Sequence, residues 1–197
     1  MVDLNKEYYF DNTFILNSAK KQIILINTGS DMSDHISKLT GRYNKKYTKI
    51  PAYTINREGV VYEHLNPHTV SKIFDNDSLN KKAIVIALEN VGWLDKDILD
   101  GYCDWKGKTY HNQVAEIPWR GKKYWAKYTD EQFLALTQLI DYLCIGYSIN
   151  KRFIGNNVLN NKSVDFDGII NRSNFSKSHY DLTPAFEFEN FNKEINN

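Results

Sequence analysis

The sequence predicts an α/β fold with a mixed central β-sheet flanked by helices. Three observations carry that expectation. Residues 23–26 (IILI) and 81–88 (KKAIVIAL) are short and almost wholly apolar, as strands buried on both faces must be. Residues 129–146 carry an amphipathic helical pattern with a cap signal at its start. Strand, helix and hairpin signals alternate along the chain, which favours a mixed sheet over a helical bundle or a β-sandwich.

Residues 1–20 read as an N-terminal arm, and 21–191 as one domain followed by a short tail, 192–197. The first central strand runs into a polar turn, Asn27-Thr28-Gly29-Ser30. Ser30 or Asp31 then caps a helix that carries Met32, Ile36 and Leu39 on one face. Residues 52–65 (AYTINREGVVYEHL) read as two strands joined at Arg57-Glu58-Gly59, where Gly59 supplies a positive φ. Residues 68–74 are expected to form a short helix, ahead of the second central strand. The stretch from about 91 to 128 holds all four tryptophans, so it reads as an elaborated insertion, with hairpin content near 105–117, and not as a linker. Thr129 and Gln132 form a capping-box pattern. Phe133, Leu136, Ile140 and Leu143 then fall on one stripe, with Leu139 beside them, and Gly146 is the expected stop. A last short strand ends near Asn171, and the phenylalanines of LTPAFEFENF dock on the body.

Composition narrows the function classes. Apolar content of 42% and charged content of 25% suit a globular domain, and a net charge of +1 gives no field for nucleic acid or anionic lipid. No stretch has membrane length, and the N-terminus lacks the basic-then-apolar pattern of a secretion signal. No nucleic-acid or membrane partner is therefore expected. Cys103 and Cys144 lack the spacing of a zinc site. The five histidines are scattered; His35, His64, His68 and His111 read as surface or half-buried side chains, and the lysine pairs beginning at Lys20, Lys45, Lys81 and Lys122 as solvated faces.

The order of segments is informative beyond composition. QIILINTGS, YTINREGVVYEHL, KKAIVIALENVGWL, YTDEQFLALTQLIDYLCIGYSI and NRSNFSKSHYDLTPAFEF together span about residues 20–190. In this order they resemble the zinc-dependent N-acetylmuramoyl-L-alanine amidases, the type-2 amidases related to peptidoglycan recognition proteins. INREG is similar to that family's I-x-R-D-G hairpin, and YTDEQ to its Y-T-x-E-Q helix start. The aromatic stretch HNQVAEIPWRGKKYWAKYTDEQ looks like bacteriophage members. The resemblance implies an amidase-2-like fold. In active members it also implies zinc held by two His and one Asp or Cys, with a Glu or Tyr assisting water attack on the amide.

Carried over residue by residue, that pattern is mostly missing. The end of the first strand has Ile26 and Asn27 where I-V-x-H-H-T is expected, and Asn171 stands at the second His. Ala87 stands at the acid/base Glu, with Glu89 two residues later on the same face. Only Asp181, in HYDLTPAF, matches a ligand, and His179 stands at the neighbouring Lys. Relic positions are thus Ile26, Asn171 and Asp181, with no metal, cofactor or catalytic residue expected; zinc belongs to the alternative of an active amidase with an unusual metal site. Asn27, Asn171, His179 and Asp181 form a candidate pocket. Asn27 and Asn171 either face each other across it or pair by a hydrogen bond, and Asp181 is either a relic ligand or a structural cap. Trp119, Arg120 and Trp125, in PWRGKKYW, are candidate partner contacts or an aromatic mini-core. The expected role is a degenerate amidase-like protein of a phage particle or host cytoplasm. Its partner is expected to be a virion protein or bacterial peptidoglycan.

Overall fold

The computed structural model describes residues 2–11, 18–45, 49–96 and 101–196. Residues 12–17 of the expected arm, Lys46 and Asn197 lie outside them. Among the described residues the core is a six-stranded sheet in the order β1-β4-β3-β5-β2-β11. These strands are β1 (Leu4–Asn5), β2 (Gln22–Asn27), β3 (Tyr53–Ile55), β4 (Val61–Glu63), β5 (Ala83–Leu88) and β11 (Gly168–Asn171). β3, β5, β2 and β11 run parallel, while β4 is antiparallel to β3. The sheet is mixed, as expected.

Every residue of β2 and β5 is buried, which explains their apolar runs. Strand alternation sorts them into two layers. Ile23, Leu25, Ile84 and Ile86 pack against Leu136, Leu139, Ile140 and Leu143 of α3 (Asp130–Tyr147). Ile24, Ile26, Val85 and Ala87 form the opposite layer with Phe74, Leu79 and Ile170. Each fully buried Val, Leu, Ile or Phe among them contributes about 1.5–3 kcal/mol.

Thr129 caps α3 through the expected reciprocal bonds with Gln132. The helix runs past Gly146 and stops at Ser148, whose φ of 54° is left-handed. The turn at Arg57–Gly59 also forms as expected: Gly59 has φ of 78°, and a Cβ there would lie 2.8 Å from the carbonyl oxygen of Glu131. Asp31, not Ser30, caps α1 (Met32–Asn44). No helix forms at 68–74. One forms instead at α2 (Asp77–Lys82), where Asn76 supplies the cap, so the strand starts at Ala83.

The insertion is a second sheet, antiparallel and five-stranded among the described residues, in the order β8-β7-β6-β10-β9. It comprises β6 (Trp93–Lys96), β7 (Tyr102–Asp104), β8 (Thr109–Tyr110), β9 (Val114–Trp119) and β10 (Lys122–Ala126). Residues 192–196, expected as a tail, complete α4 (Phe188–Asn196), which buries Phe191 and Ile195 against α3.

Three assignments are corrected, one lysine read as solvated and two histidines read as surface or half-buried. Lys20 is buried, its Nζ donating to the carbonyls of Thr69 and Lys81, and burial lowers its pKa to about 8. His35 and His64 are also buried, one on each side of Thr54, whose hydroxyl lies 3.0 Å and 2.9 Å from their Nε2 atoms.

Candidate functional site

The carboxyl ends of parallel strands are where open α/β sheets place their ligands. Here β2 delivers Asn27, Thr28 and Gly29 to a cleft of about 350 Å³. Lys38 from α1, Gly92 and Trp93 at the start of β6, Trp105, Arg172, His179, Tyr180 and Asp181 complete its lining. A larger hollow of about 470 Å³ lies between α3 and α4, but no residue of the strand ends lines it.

Asn27 ends β2 on the same face as Leu25. Its side-chain oxygen accepts a hydrogen bond from Tyr128 Oη at 2.8 Å, and Tyr128 Oη in turn accepts from the backbone N–H of Thr183 at 3.2 Å. Burial drives the Tyr128 hydroxyl well above the usual phenol range, so it serves as a neutral donor. Ile26 points the other way, into the apolar layer with Ile24 and Ala87. The strand-end position facing the cleft is therefore Asn27 and not Ile26, as period-two alternation requires.

Asn171 ends β11 but does not reach the cleft. It is fully buried, and its amide donates to the carbonyl of Asn156 at 2.8 Å. Asn174 closes the same network by accepting from the Asn171 N–H and donating to Asn156 and Val158. Asn27 and Asn171 thus neither face each other nor pair.

Asp181 lines the cleft, and its carboxylate lies 3.2 Å from Nε of Arg172. Both side chains are mostly enclosed, at 17% and 14% exposure for Arg172 and Asp181. Burial raises the Asp181 pKa, while Arg172 pulls against that rise. His179 sits at the exposed rim, with Nδ1 2.7 Å from Ser176 Oγ; loss of water and the nearby Arg172 lower its pKa. Ala87 is fully buried in the core. Glu89 is held by backbone on both oxygens, accepting from Met32 N–H at 2.9 Å and Arg57 N–H at 3.0 Å. It anchors the start of α1 to the hairpin turn.

Of the expected partner contacts, Trp125 turns inward, while Trp119 and Arg120 stay half-buried. Trp125 is fully buried, and it packs with Trp119 and Tyr180 at ring separations of 5.5–5.9 Å. A fully enclosed side chain cannot meet a partner. Arg120, at the tip of the β9–β10 hairpin, has its guanidinium 4.5 Å from the Trp119 ring centre. It donates to the carbonyls of Ser173, Ser176, Lys177 and His179. The mini-core reading holds for Trp125, and the hairpin clamps the loop that carries His179 and Asp181.

Sequence reasoning missed Arg172, Tyr128, Lys38, Trp93 and Trp105 as site residues. Arg172 carried a signal, since it directly follows Asn171 at the end of the last strand and introduces a cation there. The others become neighbours only through tertiary structure. Among the described residues, no three His, Cys, Asp or Glu side chains are grouped so as to hold a metal ion.

The model of the N-acetylmuramoyl-L-alanine amidase family, Amidase_2, matches residues 17–179. The chain belongs to that family. No curated protein sequence matches it. Among solved structures it is similar to the N-acetylmuramoyl-L-alanine amidase LysC from Clostridium intestinale URNW. That match has a TM-score of 0.56 and 15% identity over 100% of this chain and 97% of the other. It is also similar to AmiD from E. coli, solved with anhydro-N-acetylmuramic acid-L-Ala-D-gamma-Glu-L-Lys. There the TM-score is 0.54 at 13% identity, over 97% of this chain and 65% of the other. At such identities the structural likeness establishes the shared fold.

Proposed function

We propose that this member of the amidase family has lost hydrolysis and uses the retained cleft to engage peptidoglycan without cutting it. One observation carries the reading: the family's metal-facing carboxylate, Asp181, has Arg172 as its counter-ion. A guanidinium at 3.2 Å supplies the positive charge the carboxylate needs and repels a second cation from the same place. The other two ligand positions hold Asn27, tied to Tyr128, and Asn171, sealed from the cleft. Amide side chains are poor zinc ligands beside imidazole or thiolate. The residues present therefore do not fit the zinc that the family implies, and no hydrolytic step is assigned through it. Ala87 also removes the acid/base carboxylate, and Glu89 is committed to backbone.

The burial of Trp125, and the commitment of the half-buried Arg120 to four carbonyls of its own chain, weaken the case for a protein-docking edge and favour the cleft as the recognition surface. A bacteriophage setting is supported by the resemblance of the aromatic insertion to phage members.

The deciding experiment combines metal analysis with a sacculus assay. Purified protein is expected to contain well under one equivalent of zinc, to release no L-alanine peptides from purified sacculi, and to co-sediment with them in moderate salt. One zinc per chain that survives dialysis, with chelator-sensitive peptide release, would establish an active amidase with a rebuilt metal site. Failure to co-sediment would return the protein-docking role to first place.

A further inference from the structure

The cleft has more positive than negative charge and an aromatic wall. Lys38 and Arg172 line it against a single carboxylate, Asp181, and that carboxylate is already matched by Arg172 Nε. The two terminal nitrogens of Arg172 make no hydrogen bond among the described residues, and the side chain borders both this cleft and the adjoining hollow beside Phe74 and Phe175, so a planar pair of donors is left without a protein partner. Lys38 Nζ is held at the cleft by Ser30 Oγ at 3.2 Å and has two N–H groups to spare. The aromatic wall comes from the insertion. Trp105 is 50% exposed, yet its Nε1 is fixed by the carbonyl of Gly29 at 2.9 Å, so a large apolar ring is presented in one orientation. Trp93 lines the same cleft, and Lys122 Nζ lies 3.3 Å from its ring centre. A pre-oriented, half-exposed tryptophan beside polar donors offers apolar contact to a flat ligand while leaving its hydroxyls wet.

We infer that the cleft binds a sugar bearing a free carboxylate, with the ring against Trp105 and the carboxylate between Lys38 and the free edge of Arg172. The inference rests on the wall-binding reading and makes it narrower. Such a ligand is the muramic acid unit of a glycan strand from which the peptide has been removed. Its lactyl group then ends in a carboxylate and not in an amide. Arginine recognises carboxylates bidentately, whereas a neutral amide leaves both cations without a counter-charge. The cleft would thus mark wall already trimmed by another amidase.

Isothermal titration of the full chain with N-acetylmuramic acid, N-acetylglucosamine and N-acetylmuramoyl-L-alanine amide tests this. The first has the ring and the carboxylate, the second the ring alone, and the third the ring with a neutral amide chain. N-acetylmuramic acid is expected to bind about tenfold tighter than either of the others, the size of one good charge-assisted contact. Lys38→Met should erase most of that preference and leave N-acetylglucosamine binding unchanged. Trp105→Ala should weaken all three by roughly tenfold, as loss of a tryptophan anchor does. Both replacements are at partly exposed positions, and circular dichroism verifies that the fold survives. Equal affinity for the three sugars, or tighter binding of the neutral amide, would overturn the inference. Co-sedimentation with sacculi without any preference among the sugars would overturn it too, while the wall-binding reading stood.

Discussion

On the floor of the cleft, Asn27 and Asp181 direct their polar groups at partners inside the protein, Arg172 meets Asp181 through Nε alone, and Asn171 is sealed beneath them. On the roof, the insertion reaches down through exposed contacts: Trp105 to the carbonyl of Gly29, Lys106 to Asp34 and Lys108 to Asp31. The physical difference is solvent. A floor residue that loses its partner has little water to turn to, whereas a roof residue has ample. Surface ion pairs like those of Lys106 and Lys108 add little and are screened by salt. The floor therefore fixes the shape of the site, and the roof is held to it by weaker, solvent-exposed contacts.

The largest expected effect tests the floor. Asp181→Asn leaves the enclosed Arg172 guanidinium without a counter-charge. Breaking one side of a buried pair costs about 3–5 kcal/mol, and residual exposure brings this one to the lower end, on the order of 3 kcal/mol. Replacing both partners, as Arg172→Met with Asp181→Leu, should cost less than Asp181→Asn alone, because no charge is left stranded. Urea denaturation of the three proteins measures this. If Asp181→Asn leaves the midpoint where it was, the floor is no more committed than the roof.

Acid tests the same principle on the face of the sheet opposite α3. His64 Nδ1 lies 3.0 Å from the Tyr8 carbonyl and must donate to it, so His64 Nε2 accepts from the Thr54 hydroxyl. The Thr54 oxygen is then left to accept from His35 Nε2–H. Burial lowers the His35 pKa to about 3, helped by repulsion from His64, Arg42 and Lys38; burial lowers that of His64 to about 4, with the Tyr8 carbonyl opposing. Both rings stay neutral in the folded protein while the unfolded chain takes up protons below about pH 6.5. Stability is thus complete above that value and falls as pH drops toward 4, by about 3 kcal/mol between pH 6.5 and 5 for the two rings together. Asp181, whose pKa is raised by burial, acts in the opposite sense. His64→Asn should roughly halve the pH dependence between these values, read from urea midpoints at each pH. A parent protein equally stable at pH 5 and 6.5 would mean that these rings are not held neutral.

How much of this was legible in the sequence follows from how local each signal is. β2 and β5 announce themselves because both their faces are buried, and α3 because Thr129 and Gln132 lie within one turn of each other. The short polar helix α2 has too few apolar residues to show a period, and its cap, Asn76, is a common loop residue. The second sheet stayed hidden because its strands are short and half-exposed, so alternation is faint. Of the site, the ends of β2 and β11 and the position of Asp181 were legible from segment order. The choice between Ile26 and Asn27 was open to simple alternation, since Ile24 and Ile26 must share a face. The partners of these residues were not legible: the bonds joining Asn27 to Tyr128 and His35 to Thr54 span 101 and 19 positions of chain. No local pattern encodes them.

The smallest expected effect lies where roof meets floor. Arg120 belongs to the roof by sequence, but its guanidinium holds four carbonyls of the loop leading to Asp181. Arg120→Ala should cost about 1–2 kcal/mol, since these are charge-assisted bonds in a half-exposed place where water partly replaces the donor. Its φ of 49° is left-handed, a conformation that disfavours any residue with a Cβ. Arg120→Gly loses the same hydrogen bonds but relieves that strain, so it should be less destabilising than Arg120→Ala by roughly 1 kcal/mol. Amide hydrogen exchange supplies the sharper reading. In either variant the amides of Ser173 and Phe175 should exchange faster, while those of β2 and β5 keep their protection, because the loop opens without the sheet. Uniform acceleration through β2 would instead show that the hairpin clamp stabilises the whole domain, and the boundary between floor and roof would have to be drawn outside Arg120.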